Sequence, residues 1–86
     1  MKHHASEGFW SNYHALPDQV RALAEKNVRI LKADRSHPSL QFKKLGKVWS
    51  ARVGLHYRAL GVETGEDVVW FWIGHHAEYD RLVASR

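Results

Sequence analysis

Cysteine is absent from the 86 residues of the chain, and long apolar runs are missing as well. Without cysteine there is no disulfide framework, no thiolate metal site and no cysteine nucleophile. The longest apolar run, residues 68–73, is far short of the roughly 20 residues that a membrane span needs. No apolar segment follows Met1 and Lys2 as it would in a secretory signal. We therefore expect a cytoplasmic protein without a membrane partner.

Several sequence motifs for phosphate binding, nucleophilic catalysis and metal binding are also absent. The chain has neither a glycine-rich phosphate loop nor a nucleophile elbow. No His-x-x-x-His pair or acidic ligand pattern accompanies its seven histidines. His75 and His76 are adjacent, so on a strand or a helix their side chains should point apart. We therefore expect no metal site and no cofactor.

The composition is that of a small basic globular protein. Hydrophobic residues make up 44% of the chain and charged residues 26%, with a net charge of +4 and a pI near 9.7. At this length we expect one domain, residues 1–86. The positive charge favours a polyanionic or acidic partner, although many small basic domains bind no nucleic acid.

Apolar spacing predicts two helices in the first part of the chain. Residues 17–32 carry an apolar stripe at helical spacing, with Pro17 suited to the first position and Asp18 to the first turn. Residues 6–14 predict a shorter helix that Ser6 caps. This helix has an aromatic stripe, for which core packing is favoured over stacking on nucleobases: Phe9, Trp10 and Tyr13.

After a turn around Pro38, the pattern changes to alternation and predicts strands. A hairpin turn is expected at residues 64–67, Gly74 should end the last strand, and a short helix should follow with Tyr79, Leu82 and Val83 facing inward. This order favours an α+β fold, with two N-terminal helices on one face of a 3–4-stranded antiparallel sheet and a short C-terminal helix. The strand segments are residues 40–43, 49–53, 56–62 and 68–73.

Two segments and one dipeptide carry a family resemblance. Residues 45–58 read LGKVWSARVGLHYR, an arginine-containing strand that runs into a glycine and then a Tyr-Arg pair. Residues 69–79 read VWFWIGHHAEY, a strand that ends in Gly-His and is followed by a tyrosine. Together with Leu16-Pro17 before the second helix, their order and spacing resemble the RelE/ParE superfamily of bacterial type II toxins. The resemblance spans roughly residues 9–82.

The chain departs from the family pattern at three places. Members usually open with a full β-strand, whereas the residues before Ser6 supply only a stub. His76 stands where the family commonly has arginine. Several RNA-cutting members carry a reactive tyrosine or histidine at the extreme C-terminus, whereas this chain ends in Ala84, Ser85 and Arg86.

The resemblance implies the toxin component of a toxin–antitoxin pair, and we interpret it as a metal-independent mRNA endoribonuclease that inhibits translation. Its implied partners are an acidic, partly disordered antitoxin and RNA, on the ribosome or free. RNA cutters of the family bind their substrate on the sheet face opposite the two helices. Two alternatives stay open: a ParE-type toxin that poisons gyrase, and an inactive toxin fold that only binds a partner.

Cutting RNA without a metal requires a base for the 2′-hydroxyl, cations for the phosphate and an acid for the departing 5′-oxygen. Arg52 and Arg58 match the paired arginines of the family and could clamp a phosphate if they share a face. The alternative is that both are exposed to water or paired with Glu63 or Asp67. An imidazole can serve as base or acid, and the family match favours His75. The catalytic candidates are Arg58, His75, Glu78 and Tyr79.

Each remaining candidate has a structural alternative. Glu78 could orient a histidine or be a helix charge, and Tyr79 could react or anchor the last helix in the core. The lysines around the first hairpin turn could contact phosphates or could simply be exposed to solvent. Three tryptophans could stack on bases or pack in the core: Trp49, Trp70 and Trp72. The candidates for binding RNA or phosphate are Lys43, Lys44, Lys47, Arg52, His56, Arg58 and His76.

Overall fold

The computed structural model describes residues 2–84, so Met1, Ser85 and Arg86 lie outside the described part of the chain. The C-terminal departure from the family pattern, at Ala84, Ser85 and Arg86, therefore lies partly outside it. A 3-10 turn, Pro38–Leu40, joins the helical part to the sheet. The other elements are β1 (His3–Ala5), α1 (Glu7–His14), α2 (Asp18–Ala33), β2 (Lys43–Leu45), β3 (Val48–Val53), β4 (Tyr57–Thr64), β5 (Asp67–His75) and α3 (His76–Ala84).

The strands form one sheet in the order β1-β5-β4-β3-β2. Strands β2 to β5 pair antiparallel, as expected for an α+β fold, whereas β1 pairs parallel to β5. The expected count of three or four strands is wrong, because the stub before Ser6 is a fifth strand. Backbone bonds from Val68 N to Lys2 O and from Ser6 N to Trp70 O, both 2.9 Å, fix its position.

Both N-terminal helices lie close to their predicted positions. Ser6 caps α1, and its Oγ accepts a hydrogen bond of 3.2 Å from the backbone N–H of Phe9. Helix α2 buries its apolar stripe against one face of the sheet. The resulting core contains Leu16, Val20, Ala24, Leu31, Leu40, Ala51, Val53, Ala59, Val68, Trp70 and Ile73.

The aromatic stripe of α1 divides between core and surface. Phe9 and Tyr13 pack against this core, as the core-packing interpretation predicts. Trp10 lies at the edge of the stripe and is 47% exposed. None of the helices in residues 2–84 has the length and apolar content that crossing a membrane requires.

Helix α3 packs on the opposite face of the sheet. Its Tyr79 is buried with Val48 and Leu60, and its Val83 packs beside them. The prediction that Leu82 faces inward is wrong, since it is 39% exposed.

Most strand boundaries also differ from the predicted ones, by one to three residues. Strand β5 runs through Gly74 to His75, because Arg58 of β4 still pairs with Gly74 and Tyr57 with His75. Leu40 lies in the 3-10 turn rather than in a strand, since Pro38 starts a helical turn there.

Candidate functional site

Two arginines lie side by side on the sheet face that carries α3. Arg52 of β3 is the direct register partner of Arg58 in β4. Side chains alternate between the two faces of a strand, and the neighbouring Ala51, Val53 and Ala59 pack under α2. Arg52 and Arg58 therefore share the opposite face, as a phosphate clamp requires.

Neither arginine forms an ion pair with a carboxylate within residues 2–84. The two acidic residues considered as partners are engaged elsewhere: Glu63 Oε2 lies 3.1 Å from Lys44 Nζ, and Asp67 Oδ2 lies 3.2 Å from His4 Nε2. The alternative of a structural Arg–carboxylate pair at these two acids is therefore excluded.

The arginines instead contact backbone and aromatic groups. Arg52 Nε donates a hydrogen bond of 2.8 Å to the carbonyl of Gly54. The guanidinium carbon of Arg58 lies 5.2 Å from the centre of the Tyr79 ring. Its Nη1 is buried and has no hydrogen-bond partner within the described residues. A buried donor without an acceptor is costly, so an anion that reached this nitrogen would be bound favourably.

Three imidazoles meet at the end of β5. We call His56, His75 and His76 the histidine cluster. Their ring centroids are 4.5 Å apart for His75 and His76, 6.2 Å for His56 and His75, and 6.1 Å for His56 and His76. One nitrogen from each ring lies within 4.8 Å of the other two. His75 pairs in register with Tyr57, whose ring packs against the α2-side core and lies 5.5 Å from the His75 ring, so His75 points to the sheet face opposite the two arginines.

Backbone pairing builds the histidine cluster. His56 closes the turn between β3 and β4, and its carbonyl accepts a hydrogen bond of 2.8 Å from His76 N. His75 pairs in register with Tyr57, the residue after His56. The expectation that His75 and His76 point apart is wrong, because His75 ends a strand and His76 begins a helix. The change of backbone conformation between them brings the rings together.

Tyr79 and Glu78 lie in different environments on the first turn of α3. Tyr79 is 7% exposed, and its hydroxyl accepts a hydrogen bond of 3.2 Å from Ser50 Oγ. This geometry fits the core interpretation of Tyr79. Glu78 is exposed, and no hydrogen bond within residues 2–84 joins it to an imidazole.

The three candidate lysines surround the turn between β2 and β3, and all are exposed. Lys43 lies opposite Ser50 in the register and thus on the face of the two arginines. Lys44 points to the other face, where it pairs with Glu63. Of the three, Lys43 is therefore the lysine that the register places on the face of the arginine pair.

The tryptophans of the strands are largely core residues. Trp70 is 7% exposed, and its Nε1 donates a hydrogen bond of 3.1 Å to His3 Nδ1. Trp49 stacks on Phe42 with ring centroids 4.4 Å apart. Trp72 packs beside Tyr79. None is presented as an open platform for nucleobases.

Two residues at the site are not among the sequence candidates. Ser50 is fully buried and orients Tyr79, which in turn supports Arg58. Asp80 Oδ2 lies 3.8 Å from His76 Nδ1, one helical turn further along α3. The alternation of Ser50 with Arg52 and the i,i+4 spacing of His76 and Asp80 are signals that could have identified both.

Comparisons with known proteins agree on the fold. In structure, the chain is similar to the RelB-RelE antitoxin-toxin complex of Methanococcus jannaschii, with a TM-score of 0.70, 18% identity, and coverage of 91% of this chain and 96% of that chain. It is also similar to the RelBE2 toxin-antitoxin complex of Mycobacterium tuberculosis (TM-score 0.65, 20% identity, 86% and 95% covered). A third similar structure is a copper-bound mutant toxin from Helicobacter pylori (TM-score 0.63, 15% identity, 91% and 97% covered).

The family assignment comes from the sequence comparison. No curated protein matches the chain in sequence. Residues 18–81 match the family model described as the ParE-like toxin domain. This range contains α2, the whole of β2 to β5 and most of α3, including both arginines and the histidine cluster. The chain therefore belongs to the ParE-like toxin family, within the RelE/ParE superfamily of toxin–antitoxin toxins.

Proposed function

We propose that this protein is a metal-independent endoribonuclease that cuts mRNA and thereby inhibits translation in the cytoplasm. The observation that carries the proposal is the shared face of Arg52 and Arg58, whose charges no carboxylate within residues 2–84 neutralises. His75 follows Gly74, the register partner of Arg58, and points to the other face of the sheet. Cations for a phosphate and groups for proton transfer therefore lie at the same end of the sheet, where a bound RNA would have to cross from one face to the other.

The proposed reaction uses the RNA's own 2′-hydroxyl as nucleophile. His75 takes the proton of this hydroxyl as the 2′-oxygen attacks the phosphorus. Arg52 and Arg58 bind the non-bridging oxygens as negative charge develops on them. The bond to the 5′-oxygen breaks, and protonated His76 donates a proton to that oxygen. The products are a 2′,3′-cyclic phosphate and a 5′-hydroxyl.

The charge and the surface of the helical layer support an antitoxin as the protein partner. The net charge of +4 favours an acidic partner. Helices α1 and α2 expose three large apolar side chains, which a partner could cover: Trp10, Leu23 and Val28. The similar structures from M. jannaschii and M. tuberculosis are complexes with antitoxins. An acidic antitoxin, partly disordered when free, fits these features.

Gyrase poisoning is the second candidate function. The match to the ParE-like toxin domain favours it, and so does the contact of Arg58 with the Tyr79 ring, which restricts the approach of a phosphate. In this case the basic face would bind a protein rather than cut RNA.

The test is mRNA cleavage in a translation extract, mapped by primer extension. We expect cuts with the wild-type protein and a loss of about 100-fold or more in Arg58→Gln and in His75→Gln, because each removes a group that acts in the transition state. The matched control is Arg29→Gln, which removes the same charge from the exposed surface of α2 and should cut normally.

Two outcomes would overturn the proposal. One is intact mRNA together with cleaved plasmid DNA in a parallel gyrase reaction, which would select the second candidate. The other is unchanged cutting by Arg58→Gln, which would remove the arginine pair from the mechanism.

A further inference from the structure

We propose that the histidine cluster is a binding site for a divalent transition metal ion of the Zn²⁺ class. Three imidazoles converge there, and no thiolate or carboxylate of the described residues joins the set. Imidazole ligands suit Zn²⁺, Cu²⁺ and Ni²⁺, whereas Mg²⁺ and Ca²⁺ prefer oxygen. Three protein ligands leave a fourth position for water, as in open zinc sites.

The geometry needs only small changes to close around an ion. Zinc–nitrogen bonds of 2.0–2.1 Å place the ligand atoms of a tetrahedral site about 3.4 Å apart. The candidate nitrogens already lie within 4.8 Å of one another. His56 and His75 are exposed, so their rings can rotate inward, and the ion has a path from solvent.

The surrounding residues restrain the three ligands. The hydrogen bond from His76 N to the carbonyl of His56 holds the β3–β4 turn against the start of α3. Asp80 Oδ2 lies 3.8 Å from His76 Nδ1. A carboxylate on this side favours the proton on Nδ1 and leaves Nε2 for a metal, an arrangement that metal-binding histidines commonly have.

His75 provides a specific spectroscopic marker of metal binding. Its Nδ1 accepts a hydrogen bond of 3.1 Å from the backbone N–H of Ala77. If the metal binds Nδ1, that lone pair is used. If it binds Nε2 of a neutral ring, the ring proton must sit on Nδ1. In either case the Ala77 amide loses its acceptor.

Occupancy of the site would also control the proposed activity. A metal-bound His75 has no lone pair with which to take a proton from a 2′-hydroxyl. This consequence rests on the proposed ribonuclease function, whereas metal binding itself does not. We therefore expect Zn²⁺ to inhibit cleavage of mRNA, and removal of Zn²⁺ by a chelator to restore it.

The binding test uses the whole chain without RNA, so a negative result leaves the ribonuclease proposal untouched. Zn²⁺ is titrated by calorimetry, and Co²⁺ is added as an absorbing probe of coordination. We expect one ion per chain. Asp80→Asn removes an outer partner of a ligand and should weaken Zn²⁺ binding by roughly 10- to 100-fold. His56→Gln and His75→Gln each remove a ligand and should weaken Zn²⁺ binding by more than that.

The control is His4→Gln, which removes an imidazole from the opposite end of the sheet, since His4 pairs with Val69 near the start of β5. It should bind Zn²⁺ as the wild type does. NMR of the wild type provides a measurement that needs no variant: Zn²⁺ should shift the ring signals of the histidine cluster and the Ala77 amide. Absence of these shifts at saturating Zn²⁺, or loss of binding in His4→Gln alone, would overturn the proposal.

Discussion

Tyr79 connects the core of the second sheet face to the arginine pair. Its hydroxyl accepts a hydrogen bond from the fully buried Ser50, and its ring lies under the guanidinium of Arg58. Both contacts depend on α3, which begins directly after His75 and packs back over the sheet. The position of Arg58 is therefore coupled to the packing of the last helix.

Replacing Tyr79 by phenylalanine should lower the free energy of unfolding by about 1–3 kcal/mol, because the Ser50 hydroxyl loses its buried partner. The measurement is urea unfolding. The double variant Ser50→Ala/Tyr79→Phe should lose less than the sum of the two single changes, since no hydroxyl is then left unpaired. A folded Tyr79→Phe protein with unchanged stability and no cleavage would instead favour a reactive hydroxyl.

His3, in β1, makes the free energy of unfolding depend on pH. Burial lowers the pKa of His3, and the charges of Lys32, His4 and Arg35 lower it further. Its Nδ1 accepts a hydrogen bond from Trp70, which protonation at this nitrogen would break. Below the ordinary pKa of histidine, near 6.5, the unfolded chain therefore binds a proton more readily than the folded chain.

The contribution of His3 to stability is complete above that pH and is lost as the pH falls toward the lowered pKa of the folded state. His3→Gln keeps an acceptor for Trp70 but cannot titrate. We expect the wild type to lose more unfolding free energy than His3→Gln between about pH 7 and about pH 5. If urea unfolding shows that the wild type and His3→Gln lose the same unfolding free energy over this pH range, the assignment to His3 is contradicted.

At the scale of elements, the pairing of β4 with β5 is irregular at one glycine. The register shifts between Leu60 and Gly61. A Cβ atom at Gly61 would lie 2.6 Å from Val68 Cγ1 and 3.0 Å from Trp70 Cε3. Both neighbours belong to the core, so they have little room to move.

Gly61→Ala should therefore destabilise the protein by about 1–3 kcal/mol through overpacking. The matched control is Gly8→Ala in α1, where the nearest atom to an added Cβ is 3.5 Å away. Because alanine favours a helix over glycine by about 0.5–1 kcal/mol, this variant should be more stable than the wild type. If Gly61→Ala and Gly8→Ala unfold at the same temperature, the account of the β4–β5 contact is contradicted.

The elements that follow from local pattern could be predicted from the sequence. Helix α2 was expected at residues 17–32 and is found at Asp18–Ala33, because its apolar stripe and Pro17 mark it locally. Strand β1 could be anticipated only as a stub. Its three residues are too few to alternate, and they pair with a strand more than 60 residues away in the chain.

The candidate site, too, could be predicted from the sequence only in part. The common face of Arg52 and Arg58 follows from the alternation of strand residues, once β3 and β4 are paired as a hairpin. The histidine cluster could not be predicted, because it depends on the turn before Tyr57 and on the change from strand to helix after His75. Local periodicity does not specify either backbone geometry.

Across the whole molecule, the sheet separates two surfaces of different character. The α1 and α2 side carries exposed apolar residues, whereas the opposite side carries the arginine pair. The histidine cluster lies where β5 ends, with His75 on the α2 face. This separation allows a protein partner to bind the helical layer while the basic face remains available. It is the physical basis for proposing both an antitoxin and an RNA substrate.

The most direct test of the central claim is the chemistry of the RNA ends after cleavage in the presence of a metal chelator. If the imidazoles and arginines use the 2′-hydroxyl as nucleophile, the products carry a 2′,3′-cyclic phosphate and a 5′-hydroxyl, and RNA with 2′-deoxy substitution at the cut site is resistant. Products with a 5′-phosphate, or cleavage that stops when divalent metal is removed, would contradict the account.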